Sequence, residues 1–178
     1  MLLDVLLLSF IVALVRKGRP SKTLGLKDAW VIFLALGIQV LAVLVPRRLS
    51  PIFILLSFCV LLIGLVRNLH VQSLRLVFLG VLLNVLVIAS NHGQMPVSLS
   101  AAERLGVDTK PLVAGTDYKR VAMTDKTRFD FLGDVIYVPV PLPRVVSLGD
   151  VVVAFGAFLL VQEYMGKPIT FRVRSLSL

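Results

Sequence analysis

One cysteine, two histidines and ten acidic residues among 178 leave little from which to build conventional catalytic chemistry. Cys59 lies alone inside an apolar run, which excludes an intrachain disulfide and a cysteine-built metal site. His70 and His92 fall on opposite sides of the topology derived below, which excludes a multi-histidine centre, so neither a metal nor a cofactor is expected. Charged residues make up 16% of the chain, where soluble domains carry about a quarter. There is no Gly-Lys-Thr or Gly-Lys-Ser phosphate loop, no His-Glu-x-x-His, no Gly-x-Ser-x-Gly and no dinucleotide glycine fingerprint. ATP-driven transport by this chain alone is therefore not expected. No internal repeat or low-complexity segment is present.

What is present is apolar. Hydrophobic residues make up 57% of the sequence and the mean hydropathy is +0.93. Five apolar runs, 1–15, 29–45, 52–66, 74–89 and 145–164, predict an all-α membrane protein of five transmembrane helices, a single polytopic domain over 1–178. Most runs fall slightly short of the roughly 20 residues of a straight span, a difference that snorkelling basic side chains at their ends would make up. Asp28, Ser50 (followed by Pro51), Ser73 and Ser147 each stand where a helix N-cap is wanted. Trp30 and Tyr164 sit near run ends, where aromatic anchors are favoured.

The net charge of +9 is distributed at run ends, without the basic, aromatic-interleaved surface of a nucleic-acid binder, so nucleic acid is not an expected partner and the lipid bilayer is. In the first run the basic residues follow the apolar core, which suggests an uncleaved anchor with its N-terminus outside. Segments 16–28, 67–75 and 165–178 then carry ten Lys and Arg on the cytoplasmic side, against two in the outside loop 46–51. The expected product is a multi-pass plasma-membrane protein, N-out and C-in, with residues 90–144 forming a structured extracytoplasmic cap.

From Ser90 to Asp150 lie seven of the ten acidic residues. Apolar residues spread through the cap argue against disorder. Ser100-Ala-Ala-Glu103 reads as a capping box for a short helix ended by Gly106. Pro139, Pro141 and Pro143 make the stretch 129–143 extended and exclude a helix or a central strand.

The candidate site residues follow. Ser147 and Asp150 form an approximate capping box, and Asp150 is also an ionisable group at a span mouth. The small residues Gly149, Ala154, Gly156 and Ala157 permit close packing on that side, so Asp150 is expected to face protein. Asp130 and Asp134, brought to Asp150, would supply a carboxylate pair able to share a proton, or oxygen ligands for a divalent ion, although Gly133-Asp134 also reads as a plain turn. Asn84 and Asn91 are seven apart on one helical face, where amides bond to neighbouring helices, and His92 is a candidate ligand or base. Gln39 and Asp4 read as packing or interfacial groups, and Glu163 and 171–174 as the cytoplasmic end.

Two resemblances add to this. Asn91-His-Gly-Gln-Met-Pro-Val97, Leu132-Gly-Asp134 and Ser147-Leu-Gly-Asp150 resemble a bacterial family of small multi-span membrane proteins known only as a domain of unknown function. That implies a bacterial plasma-membrane protein and nothing about activity. Phe129-Asp-Phe131 followed by Asp150 is similar, locally, to lipoprotein signal peptidase, which would make Asp130 and Asp150 a catalytic pair. The family's Asn-Arg element, its Phe-Asn before Ala-Asp and two intervening spans are missing here. The reading favoured overall is a non-catalytic protein binding a partner protein, lipid or small ligand through Asn91, His92, Asp134 and Asp150, with a membrane protein or a second copy of the chain as candidate partners. A small transporter or channel component and a membrane-embedded aspartyl hydrolase are the alternatives.

Overall fold

Seven of the twelve elements lie between the fourth apolar helix and the last. The order is α1 (Leu2–Val15), α2 (Ala29–Leu44), α3 (Ser50–Val66), α4 (Gln72–Ser90), β1 (Met95–Val97), α5 (Leu99–Arg104), α6 (Lys110–Val113), β2 (Arg120–Ala122), a 3-10 turn (Asp130–Leu132), β3 (Asp134–Val138), β4 (Arg144–Ser147) and α7 (Leu148–Tyr164). The seven after α4 other than α7 make the cap. The computed structural model describes residues 2–20 and 24–169; the sequence features at Lys22 and 171–174 lie outside the described residues.

This architecture overturns the five-span, all-α expectation. The cap contains a four-stranded mixed sheet in the order β2-β1-β3-β4, with β1 parallel to β2 and β3, and β3 antiparallel to β4. Among the described residues, only α4 is both long and apolar enough to cross a membrane. α1, α2 and α3 have 14, 16 and 17 residues. At 1.5 Å per residue they reach about 21–26 Å, short of the ~30 Å hydrocarbon thickness. The run 145–164 is also divided, because Val145, Val146 and Ser147 are strand and the helix starts at Leu148.

The helices pack around α4, which lies against α7 and α3; α1 flanks α7, and α2 pairs with α3. The α4–α7 contact is close because glycines line it. A Cβ on Gly80 would lie 2.6 Å from the Gly149 carbonyl oxygen and 2.7 Å from the Val153 nitrogen, and one on Gly156 would lie 2.8 Å from the Val77 nitrogen. The small-residue face expected on α7 is therefore where the backbones meet. Polar side chains hold the other contacts. The Ser50 hydroxyl donates to the Ala42 carbonyl at 2.7 Å, Ser9 to the Phe158 carbonyl at 2.7 Å, and the Asn68 amide to the carbonyls of Lys27 and Gly64, both at 2.8 Å.

Several expected caps do other work. Asp28 makes no cap bond and instead pairs with Arg67 at 2.6 Å. Ser50 is already helical, and Ser73 donates to Glu163 at 2.8 Å. Only Ser147 caps as spelled. The cap's short helix α5 is started by Ser98, two residues before the expected Ser100, and is followed by Gly106 at φ +65° as anticipated.

Tertiary contacts define two ends. Asp4 pairs with Arg144 at 2.6 Å, Arg47 donates to the Asp117 carbonyl at 3.2 Å, and Gly93 packs on Pro51. The start of α1, the α2–α3 connection and the cap thus share one end. At the other, Arg16 donates to Gln162 and to the Lys167 carbonyl, each at 2.8 Å, and Arg67 holds Asp28. The cap has a small core of its own, Val97, Ala101, Ala102, Leu112 and Val145, between the sheet and α5–α6.

Candidate functional site

Where the sheet meets α7, four polar side chains converge. Ser147 ends β4 and caps α7, its hydroxyl accepting from the Asp150 N–H at 2.9 Å while the Asp150 carboxylate accepts from the Ser147 N–H at 3.5 Å. Asn84 reaches across from α4, donating to Asp150 Oδ1 at 2.9 Å and accepting from the Ser147 hydroxyl at 2.8 Å. Both ends of its amide are thus used. Asp150 faces protein, as expected, and Asn84 bonds to the neighbouring helix, as expected of a buried amide.

Asp134 lies opposite Ser147 in the β3–β4 register, at a bulge, and opposite Val97 of β1. Its side chain is 2% exposed. Arg120 Nε approaches its Oδ2 at 3.4 Å, and no described group hydrogen-bonds Oδ1. Burial raises its pKa from an ordinary 3.8 to about 7, with Asp150 adding to the rise and Arg120 and Lys119 opposing it. The turn reading of Gly133-Asp134 is thereby corrected: Asp134 begins an interior strand. A Cβ on Gly133 would sit 2.7 Å from the Pro96 carbonyl oxygen, so the chain needs glycine to bring Asp134 in against β1.

Asp130 does not join this cluster. It is exposed, and its carboxylate accepts from the Phe131 N–H at 2.8 Å in its own turn. Asp134, not Asp130, is the electrostatic neighbour of Asp150. Arg120 was missed by sequence reading, since the parallel pairing of β2 with β1 that brings it near has no local signal.

Asn91 and His92 lie elsewhere. They belong to one wall of an open groove of about 490 Å³ between residues 90–94 and 121–128. Asn91 donates to the Val87 and Arg128 carbonyls, both at 2.8 Å, and accepts from the Arg128 N–H at 3.0 Å. It is a staple holding the opposite wall. His92 is exposed at φ +56°, in the left-handed region. Asn91→Ala should leave the Arg128 amide without its acceptor and raise its hydrogen exchange about fivefold or more, as about 1–3 kcal/mol implies. Unchanged exchange would show that the staple does not hold the wall.

Residues 23–162 match a family of unknown function, DUF5317. The chain belongs to the DUF5317 family. An uncharacterized protein of Thermotoga maritima is 30% identical over 130 residues, covering 69% of this chain and 72% of that one. No solved structure matches the chain. The DUF5317 segment contains the Asn84–Ser147–Asp150 cluster, Asp134 and the whole groove, while α1 precedes it. The resemblance to a family of unknown function is thus shown at the level of family, and that family assigns no activity.

Proposed function

We propose that this DUF5317 protein is a non-catalytic binding protein embedded in the plasma membrane, with its cap on the extracytoplasmic face and the groove offered to a ligand or partner. The observation that carries this reading is the inverted polarity of the helices. Leu7, Phe33, Val40 and Leu44 are 57%, 71%, 62% and 74% exposed, with many similar residues on α1, α2 and α3. Inside, Ser9, Ser57, Asn68 and Gln162 are fully buried, next to Ala13 and Ala42. Soluble proteins rarely expose contiguous apolar patches beyond a few hundred Å². Small and hydrogen-bonded polar residues between helices, with large apolar ones outside, are what a lipid solvent selects.

The distribution of charge supports the orientation. The end remote from the cap carries Arg16, Lys17, Arg19, Lys27, Arg67 and Lys167, an excess that favours the cytoplasm. Binding is favoured over catalysis because both oxygens of Asp150 are engaged in cap and amide bonds and Asp134 is shut off from solvent.

Fractionation of bacteria expressing the chain tests the reading. The protein should stay in the membrane pellet through alkaline carbonate and leave it only in detergent. With Cys59→Ser removing the native thiol, a cysteine at the exposed Thr116 should react with an impermeant maleimide in intact spheroplasts. Release by carbonate would refute membrane embedding; labelling only after lysis would refute the orientation.

A further inference from the structure

The groove has a one-sided lining. Its lining includes Lys126, Arg128 and His92, with Gln94 and Thr124 among its neutral polar residues, and no acidic residue lines it among the described residues. The nearest acid in sequence, Asp125, is exposed but not part of the lining. The wall bearing the cations is braced by a bond within its own turn and by one to the end of α4. Thr127 Oγ1 accepts from the Thr124 N–H at 2.9 Å, and Asn91 takes both backbone groups of Arg128. The backbone at Arg128 is therefore pinned to the end of α4.

Its location is equally informative. The groove begins at the C-terminal end of α4, the most lipid-compatible helix, and the chain leaving Arg128 immediately exposes Phe129 and Phe131, at 41% and 65%. Apolar rings beside basic groups at the end of an apolar helix set hydrocarbon contact next to headgroup contact. An anion reaching this groove would meet two positively charged side chains, while apolar chains attached to it would lie along the exposed helix faces.

We infer that the groove between residues 90–94 and 121–128 is a binding site for the phosphate headgroup of an acidic phospholipid, held by Lys126 and Arg128 with His92 and Gln94 completing the donor set. This inference rests on the membrane-embedded reading, and names the ligand class for its groove. Arg128 supplies a planar donor fork matched to phosphate oxygens, and Lys126 a point charge. The acyl chains follow the apolar faces below.

Native mass spectrometry of the full chain in non-ionic detergent tests this, with phosphatidylglycerol, phosphatidylcholine or inorganic phosphate added separately. Phosphatidylglycerol should be retained in preference to phosphatidylcholine. The double variant Lys126→Gln/Arg128→Gln should lower that retention about tenfold or more, whereas Lys110→Gln, on the cap but outside the groove, should not. Both altered side chains are exposed, so an unchanged thermal midpoint confirms an intact fold. Equal retention of both lipids, or no difference between the double variant and the parent, overturns the inference. Displacement of phosphatidylglycerol by inorganic phosphate at equal concentration overturns the lipid assignment in favour of a free phosphate ligand. A carbonate-resistant protein without lipid preference sinks this inference alone, while carbonate release sinks the membrane reading beneath it.

Discussion

Gly149→Ala, the addition of one carbon, should destabilise the protein by roughly 3–5 kcal/mol, measured as a lowered midpoint of thermal unfolding in detergent. The added Cβ would overlap Asn84 Oδ1 and lie 2.7 Å from the Gly80 carbonyl oxygen. Neither neighbour is a free-swinging side chain. The carbonyl belongs to α4, and Asn84 is tied to Ser147 and Asp150. Overpacking alone costs about 1–3 kcal/mol. Pushing Asn84 aside also strips a donor from a carboxylate, worth about 1.5–3 kcal/mol. Gly80→Ala meets backbone atoms at 2.6 and 2.7 Å but breaks no polar bond directly, so its cost should be smaller, about 2 kcal/mol. Gly37→Ala is the matched control. Nothing lies within 4 Å of its Cβ, so the change should fall within about 1 kcal/mol of neutral. In an Asn84→Ala background Gly149→Ala should cost less than in the parent, because the clashing amide is gone. Equal tolerance of Gly149→Ala and Gly37→Ala would disprove the close α4–α7 approach.

That contact was largely legible in the sequence, and the reason is locality. Gly149 and Gly156 recur at helical spacing, so a small surface on α7 follows from the 3.6-residue period alone. Ser147 and Asp150 spell their cap within four residues. Asn84, in an apolar run, demands a partner on another helix. The sheet offered no such signal. β1 and β2 have three residues each and pair in parallel across the intervening α5 and α6. Runs that short show no alternation, and Pro96 sits in the middle of β1, where its missing N–H argues against a strand. The prolines at 139, 141 and 143 mark the β3–β4 hairpin, but they mask the interior strand that precedes them. Helix starts misled for a different reason. Asp28, Ser50 and Ser73 have cap-forming side chains, yet each is used by a partner distant in sequence, which no local rule detects. Run length overstated the spans, since apolar residues continue into β4 and into the turns between helices. At the candidate site, Asp150 and Asn84 stand out in the sequence because their neighbours define them. Asp134 acquires its character from Val97, Arg120 and Ser147, three segments joined only by the fold.

Asp134→Asn should remove a stability change of roughly 4 kcal/mol that the parent undergoes between about pH 4 and pH 7. In the unfolded chain Asp134 ionises near 3.8, and in the folded one at about 7. The folded state therefore holds the proton more tightly. Below about pH 4 both states are neutral at this position, and the contribution is fully present. As pH rises toward 7 the unfolded chain ionises first, and stability falls until the folded carboxyl ionises too. Above about 7 the loss is complete, because a buried carboxylate is then retained with only Arg120 and Lys119 to offset its desolvation and Asp150 opposing it. Asparagine has the same shape and no charge. Its stability minus that of the parent should climb by roughly 4 kcal/mol across that window and be flat on either side, whatever constant penalty its amide brings. Arg120→Gln, which withdraws the main counter-charge, should extend the parent's decline to higher pH. A difference curve that stays flat from pH 4 to 8 would mean that Asp134 ionises alike in both states, and that the sheet does not shut it from water. The curve thus reads a residue at the junction of cap and helices: Asp134 accepts the Ser98 N–H through its carbonyl at 2.9 Å and pairs with Ser147 at the start of α7, so a carboxylate forced there strains the contact that joins the two.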